Sequence, residues 1–589
     1  MLPEKVILSG NEGVALGARD AGVGFATGYP GTPSTEINEY LIRLGGPEVA
    51  WAVNEKVALE KAYGASIAGL RSLVTMKHVG LNVAADPLFT CAYMGVNGGM
   101  VVVTADDPFM HSSQNEQDNR WYALHAKVPM LEPSDSEECR TMTRTAFELS
   151  ERHDLLFLLR LVTRVCHSRS LVSAETSPGY ARVNRGYKRD IKFVVLPVLC
   201  RQRRLALDKN LEGLMLDPEA LALNRIEITG SEIGIITAGA SYNYVKEAYG
   251  DRYSILKLGL VWPLDPGIIN RFASQVARLY VVEELDPFLE MQIRAMGIVC
   301  EGKRYLPSIL ELNPQLVATS LKPAGLEPLE EVDPASESPV EDIPARPPLF
   351  CAGCPHRGFF HLARKEKLTV VGDIGCYTLG ATPPLQAIHA CACMGGGFSI
   401  ALGMSLNLPD GDKVFGVLGD STFYHSGMTG AVESIFNQDR IVPVVLDNRI
   451  TAMTGHQQNP GTGAMMNGQP TFMQEPAKIF KAVGYDRVLE VDAFDLQGIL
   501  EAIRDARSSP DMVAMVVKAP CRLIRGVQRG ALRTVDQDQC KQCKNCLKLG
   551  CPALYLGNDG FPAVDPEICA GCGVCEQECR NQALSAEVK

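Results

Sequence analysis

Apolar and polar positions along this chain fall into blocks that read as strand, helix and strand. The clearest block runs from Val414 to His456. An apolar run, Val414–Leu418, ends at Gly419-Asp420-Ser421. A helical stretch covers roughly Gly427–Asn437, and a second apolar run, Ile441–Leu446, ends at Asp447-Asn448. Two apolar runs joined by a crossover helix predict parallel strands. Polar residues at the carboxyl ends of such strands meet in one crevice, where ligands bind. Asp420 and Asn448 are therefore expected side by side. A carboxylate and an amide oxygen suit Mg²⁺, a hard cation that takes its other ligands from phosphate and water. The plain alternative is an ordinary strand pair with polar ends.

The pattern recurs along the chain. Val6–Leu8 is a strand running into a helix. In GFATGYPGTPSTE, Thr32 reads as a helix N-cap with Pro33 at the first helical position. Glu55 follows the apolar strand Val49–Val53 and opens an Ala- and Gly-rich helix, where its plain role is to complement the helix N-terminus. LVTMKHVGLNVAADPL puts Lys77, His78 and Asn82 just past another strand. The polar stretch 106–121 reads as a loop with His111, Gln114, Asn115 and Arg120. Loops over strand ends carry specificity, and Arg120 is a candidate for a substrate carboxylate. IGIITAGASYNYVKEA reads as strand, glycine turn and helix, and Ala277–Val282 as a strand before Glu283-Glu284. Residues 321–348 are rich in Pro and Glu and poor in aromatics, which predicts an extended linker. The fold class is α/β, in several domains.

Length and composition fit this picture. A chain of 589 residues suggests roughly three to five domains. A hydrophobic content of 46% is enough for several cores. The net charge of −11 argues against nucleic acid or an anionic membrane as the main partner. There is no run of about twenty apolar residues and no signal-peptide pattern at the start, so a cytoplasmic location is the expectation.

The cysteines change the picture most. There are nineteen, and eight fall between Cys540 and Cys579. Clustered cysteines in a reducing compartment point to metal rather than disulfides. Cys540, Cys543, Cys546 and Cys551 form one run, with Pro552 after it. Cys569, Cys572, Cys575 and Cys579 form another. Zinc sites pair CxxC units, whereas these runs repeat a triplet. Cys351 and Cys354 are spaced for one metal centre, and Cys376 and Cys521 each follow a predicted strand. Cys391 and Cys393 are expected in the core.

Several of these segments resemble one enzyme family. Gly-Asp-Ser, about twenty-five residues and Asp-Asn is similar to the thiamine diphosphate signature, with Ser421 where glycine is commoner. The resemblance implies that Asp420, Asn448 and the carbonyl of Ile450 hold Mg²⁺, which grips the diphosphate, with Gly419, Ser421 and Thr454 also on the cofactor. The Gly395–Gly397 run would let the backbone approach it. YPGTPST resembles the YPxTPS segment of 2-oxoacid:ferredoxin oxidoreductases, where the threonine lies beside the substrate; this implies such a role for Thr32. It also implies that Glu55 is the carboxylic acid that works against the aminopyrimidine ring. His78 and Arg120 are further catalytic candidates. CAGC, a later GC and a later APC resemble the ligands of the cluster nearest thiamine, implying Cys351, Cys354, Cys376 and Cys521.

The two C-terminal runs resemble the two-cluster bacterial ferredoxin module, in which the fourth cysteine of each run ligates the other cluster. That implies one [4Fe–4S] cluster on Cys540, Cys543, Cys546 and Cys579, and one on Cys569, Cys572, Cys575 and Cys551. The first run has one extra residue before its last cysteine, and Arg580 stands where proline is usual. Over nearly the whole chain the resemblance is to the large (alpha) subunits of the indolepyruvate branch. It implies a pyrimidine-binding domain over 1–165, a transketolase C-terminal-like domain over 166–320, a diphosphate- and Mg-binding domain over 349–530 and a two-cluster ferredoxin domain over 531–589.

The implied reaction is oxidative decarboxylation of aryl-pyruvates such as indolepyruvate and phenylpyruvate to aryl-acetyl-CoA and CO₂. The thiamine ylide attacks the ketone, CO₂ leaves, and electrons pass singly through three clusters to ferredoxin. Implied partners are a smaller beta (gamma-domain) subunit, ferredoxin, the 2-oxoacid and CoA, for which the sequence carries no motif. Gly31, next to Thr32, is expected to leave room for an aromatic ring. Two other classes remain open: a non-redox thiamine decarboxylase, and an electron-transfer subunit with a structural thiamine domain.

Overall fold

A computed structural model describes residues 5–173, 180–330, 348–407 and 412–586. They form two compact units, Met1–Asp342 and Ile343–Lys589.

The first unit is built on a seven-stranded sheet. Its strands lie in the order Leu260–Trp262, Met130–Leu131, Phe157–Val162, Met100–Asp106, Ser72–Lys77, Phe25–Gly28 and Glu48–Trp51. All neighbours are parallel except the Leu260–Trp262 edge. Every residue of Met100–Asp106 and Phe157–Val162 is buried. Helices cover both faces of a parallel sheet, which is why these strands read as unbroken apolar runs. A second sheet, in the order Arg278–Val282, Ile233–Ala238, Ser254–Leu258 and Arg225–Glu227, shares the same apolar core.

Two expected boundaries shift. Strand Lys5–Ser9 pairs antiparallel with Arg169–Ser173, so the N-terminal sheet region continues past 165. The linker also starts later than 321. Helix Pro314–Leu321 and a turn at Lys322–Ala324 fold onto the first unit, and Leu321 and Leu326 are fully buried. Those two leucines anchor a stretch whose Pro and Glu content reads as linker. The rest of that segment, 331–347, lies outside the described residues.

The second unit holds a five-stranded, wholly parallel sheet. The order is Thr369–Val371, Val414–Gly419, Val442–Asp447, Val513–Lys518 and Arg487–Asp492. Separate apolar clusters cover its two faces. The helical stretch after Gly419 begins at once, with Asp420–Thr422, a π-turn at Phe423–Gly427 and helix Met428–Asn437. Gly427 permits this path, because a Cβ there would lie 2.2 Å from Leu418 Cδ1.

The C-terminal segment has two small antiparallel pairs, Arg533–Val535 with Leu584–Ala586 and Leu554–Leu556 with Pro562–Val564. It packs on the body of the second unit. Leu549 and Val574 share a core with Phe350, Phe360, Leu496 and Ile499. The buried Arg357 donates to the carbonyls of Leu549 (2.8 Å), Gly550 (2.5 Å), Phe350 (2.8 Å) and Cys351 (2.9 Å). Among the described residues, no helix is long and apolar enough to cross a membrane.

Candidate functional site

Asp420 and Asn448 lie at the ends of adjacent parallel strands, in register at Gly419 and Leu446. Both are buried. Asp420 accepts from Asn459 Nδ2 at 3.0 Å. Asn448 Oδ1 accepts from the Ile450 amide at 3.2 Å, closing a turn in which Arg449 takes a left-handed conformation, φ 64°. Thr451 Oγ1 donates to Ser421 Oγ at 2.8 Å, tying the two strand ends together. Burial, with Asp447 close by, holds the Asp420 carboxyl above its ordinary range. Asp447 is raised by burial as well, against the pull of Arg449. Two buried carboxylates this close resist joint ionisation. A divalent cation removes that penalty, so the donor set fits Mg²⁺. Thr454 differs from its companions: its hydroxyl donates to Gln457 Oε1 at 2.6 Å and closes its own loop.

Three residues complete this crevice that the sequence analysis did not single out. Asp373 is fully buried and accepts from the amides of Ile374 (2.6 Å), Gly395 (3.1 Å) and Gly397 (2.7 Å). It thereby fixes the glycine run; burial lifts its carboxyl to about 6. His356 is buried and pushed down to about 4 by that burial, so its ring is neutral. Its Nε2 lies 3.4 Å from Asn448 Nδ2, which donates to it and so leaves the Asn448 oxygen turned away. Asn459 is the third. His356 stands inside CAGCPHR and Asp373 two residues before Gly375-Cys376, so a signal was there: a polar residue beside each expected cysteine ligand.

Cys351, Cys354, Cys376 and Cys521 come together beside this crevice. Burial pushes Cys354 up to about 12, with Cys351 and Cys376 near enough to add to it. Burial lifts Cys376 to about 11, with Cys521 and Cys351 as further causes. Cys521 is raised by burial, and Cys351 and Asp420 both act on it. The Cys521 amide donates to the Asn448 carbonyl at 2.9 Å. Tyr377 seats Cys376 by donating to Thr422 Oγ1 at 2.9 Å, just past Asp420. Cys391 and Cys393 are exposed, which corrects the expectation that they belong to the core. They sit in the loop ahead of the Asp373-bound glycines, where the backbone is held by hydrogen bonds rather than by apolar packing.

Two cavities lie in the C-terminal segment. One is lined by Cys551, Cys569, Cys572 and Cys575, and also by Gly353 and Cys354. The other is lined by Cys540, Cys543, Cys546 and Cys579. In each, three cysteines come from one run and the fourth from the other. Among the described residues, no three His, Cys, Asp or Glu side chains close around a single metal ion.

In the first unit, Glu55 is buried as the first residue of helix Glu55–Ile67, behind the Asn54 cap. Its carboxyl lies over Gly80, where a Cβ would come 2.7 Å from Glu55 Oε1. The stretches 77–82 and 106–121 are hydrogen-bonded together. Lys77 donates to Ser112 O (2.6 Å), Asn82 to Gln117 Oε1 (3.0 Å) and Asn119 to His78 O (3.1 Å). His78 is fully buried and lowered to about 4, chiefly by burial, so it is neutral and donates Nε2–H to Asn115 O at 3.2 Å.

Three expectations in this unit are corrected. Thr32 is not a helix cap. The helix starts at Thr35, because Gly31–Ser34 form a turn closed by Ser34 Oγ to Gly31 O (3.0 Å) and by the Gly31 amide to Thr35 Oγ1 (2.9 Å). Arg120 does not face a substrate. It is buried and pairs with Asp118 (2.5 Å) and Glu283 (2.6 Å), and also donates to the carbonyls of Glu284 and Asp286. Gly31 does not face open space either, since a Cβ there would come 3.1 Å from Lys77 Cβ.

Comparison with known proteins adds a second line of information. Residues 16–180 match the family described as pyruvate flavodoxin/ferredoxin oxidoreductase, thiamine diP-binding, and residues 373–517 match thiamine pyrophosphate enzyme, C-terminal TPP binding domain. The chain is 37% identical to the indolepyruvate oxidoreductase subunit IorA of Archaeoglobus fulgidus, over 99% of this chain and 97% of that one. It is 38% identical to IorA of Pyrococcus abyssi, over 99% and 97% of the two chains. A solved structure of a 2-oxoglutarate:ferredoxin oxidoreductase from Magnetococcus marinus is a remote likeness, with TM-score 0.46 and 18% identity over 55% of this chain and 65% of that one.

Proposed function

The chain belongs to the family of indolepyruvate oxidoreductase IorA subunits, 2-oxoacid:ferredoxin oxidoreductases of the indolepyruvate type, and from that premise we propose that it oxidatively decarboxylates aryl-pyruvates. The balanced reaction takes one aryl-pyruvate, one CoA and two oxidised ferredoxins to one aryl-acetyl-CoA, one CO₂, two reduced ferredoxins and one proton. Thiamine diphosphate, when bound, supplies the carbanion chemistry that a 2-oxoacid needs to lose CO₂.

The chain's own residues have distinct tasks in this reading. Asp420, Asn448 and the Ile450 carbonyl would hold Mg²⁺, with His356 keeping the Asn448 amide turned for it. Asp373 holds the glycine run against the cofactor. Glu55 would hold its proton toward the aminopyrimidine ring of a bound cofactor, and Gly80 leaves room for its carboxyl. Thr32 and His78 border the substrate. Cys351, Cys354, Cys376 and Cys521 hold the proximal [4Fe–4S] cluster. The quartet with Cys551 takes the next cluster and the quartet with Cys579 the last, in a two-cluster ferredoxin module. A smaller beta subunit completes the enzyme.

The observation that carries this reading is the hydrogen bond from the Cys521 amide to the Asn448 carbonyl. It joins a four-cysteine site to the metal-binding strand end, an arrangement that a decarboxylase without electron transfer does not need. The test is anaerobic product analysis of the chain assembled with its small subunit, using several 2-oxoacids with and without CoA. Aryl-acetyl-CoA with reduced ferredoxin is the expected outcome. Aldehyde formation with full iron content and no electron transfer would favour the non-redox decarboxylase instead.

A further inference from the structure

We infer that the surface around Cys543 is the docking site for a small acidic one-electron carrier protein, with Lys541, Lys544 and Lys548 as its charged contacts. The inference rests on the proposed cluster at Cys540, Cys543, Cys546 and Cys579. Of the two quartets in the C-terminal segment, only this one includes an exposed cysteine. The cavity of the other quartet is walled by Gly353, Cys354 and Arg357 of the unit's body. An electron passed along that line therefore meets solvent at Cys543.

The charge around Cys543 departs from that of the whole chain. Lys541, Lys544 and Lys548 are all exposed, and the first two line the cavity. Among the described residues none of the three forms an ion pair; Lys548 donates only to Asn545 Oδ1, at 3.0 Å. The one acidic residue lining the cavity, Glu578, pairs with His361 (3.0 Å) and Lys365 (2.8 Å). Asp536 accepts from the amides of Asp538 and Gln539 and from the Gln539 side chain, inside its own turn. Asp559 accepts from Gln537, and Asp538 is exposed.

Lys541 and Lys544 thus line the cavity with the outer cysteine, and Lys548 follows them in sequence, all three without an ion pair among the described residues of a chain whose net charge is −11. A patch of this kind steers an oppositely charged protein and raises its on-rate by about 10- to 1,000-fold at low salt. The occupant it fits is negatively charged, small and able to accept one electron.

The test is charge reversal, K541E/K544E/K548E, in the enzyme assembled with its small subunit and assayed anaerobically with phenylpyruvate and CoA. The probes are an acidic bacterial two-cluster ferredoxin, cationic cytochrome c and methyl viologen. The expected result is a loss of about tenfold or more in kcat/KM for ferredoxin at low salt, with a flattened salt dependence. Cytochrome c reduction should rise and viologen reduction should not fall. K541Q/K544Q/K548Q, which keeps the size without the charge, should lie between the wild type and the reversal. Unchanged ferredoxin kinetics would overturn the docking site, as would a parallel loss with viologen and iron, which assigns the lysines to the cluster. Wild-type protein lacking iron and viologen activity would overturn the proposed function itself, and the docking site with it.

Discussion

Asp420 illustrates how a single side chain is shaped by burial and by its neighbours. Its carboxyl is held above the ordinary range by burial and by Asp447, which makes it a poor anion alone and a good ligand for a divalent ion. Asp420→Ala should therefore lose bound thiamine diphosphate and Mg²⁺ while keeping iron. Cofactor release on denaturation and an iron assay check this together, and full cofactor retention would remove Asp420 from the site. Cys521 is the complementary case. Its amide serves the Asn448 carbonyl, and its thiol is near enough to Cys351 and Cys376 for their charges to act on one another. Cys521→Ser should lower iron by about one cluster of three and slow ferredoxin reduction more than CO₂ release. Unchanged iron and spectra would return Cys521 to a packing role.

Among the elements, the run from Val414 to Asn437 depends on close packing between a strand and the helix that follows. The π-turn Phe423–Gly427 brings the chain back over Leu418, and Gly427 is where it passes. Added methylenes in a packed region cost about 1–3 kcal/mol. Gly427→Ala should accordingly lower the thermal midpoint of the protein and weaken thiamine diphosphate binding, because Asp420 heads the same helical stretch. A melt and a cofactor titration measure the two effects, and an unchanged melt would show that the turn can yield. In the first unit, stretches 77–82 and 106–121 act as one element through the Lys77, Asn82 and Asn119 hydrogen bonds.

For the whole molecule, substrate choice is the property that a list of motifs serves least well. Every 2-oxoacid offers the same head group, so selection falls to the shape of an apolar pocket. One such pocket supplies about tenfold or more. The assembled enzyme should turn over indolepyruvate, phenylpyruvate and hydroxyphenylpyruvate with kcat/KM above that of pyruvate by that factor. Equal use of pyruvate or 2-oxoglutarate would remove the aryl assignment and leave the cofactor residues standing. Gly31 no longer marks the pocket: its free side is taken by Lys77, so Gly31→Ile should disturb Lys77 before it meets a ring.

The sequence alone determined whatever depends on local period and spacing. The exchange of the fourth cysteine between the two C-terminal runs came from a family resemblance, whereas strand ends at Asp420 and Asn448, the parallel units and the two cysteine runs themselves were legible there. Covalent spacing and alternation of apolar residues dictate them within a few dozen residues. Only the tertiary structure decided which distant groups meet. Arg120 is consumed by Glu283, 163 residues away in the chain, and nothing in the loop around it announces that partner. Thr32 loses its helix cap to a turn closed by Ser34 and Thr35. Asp373 reaches the amides of Gly395 and Gly397, and His356 reaches Asn448. Burial of polar groups is tolerated only where partners satisfy them, and those partners are supplied by the fold, which no local pattern encodes.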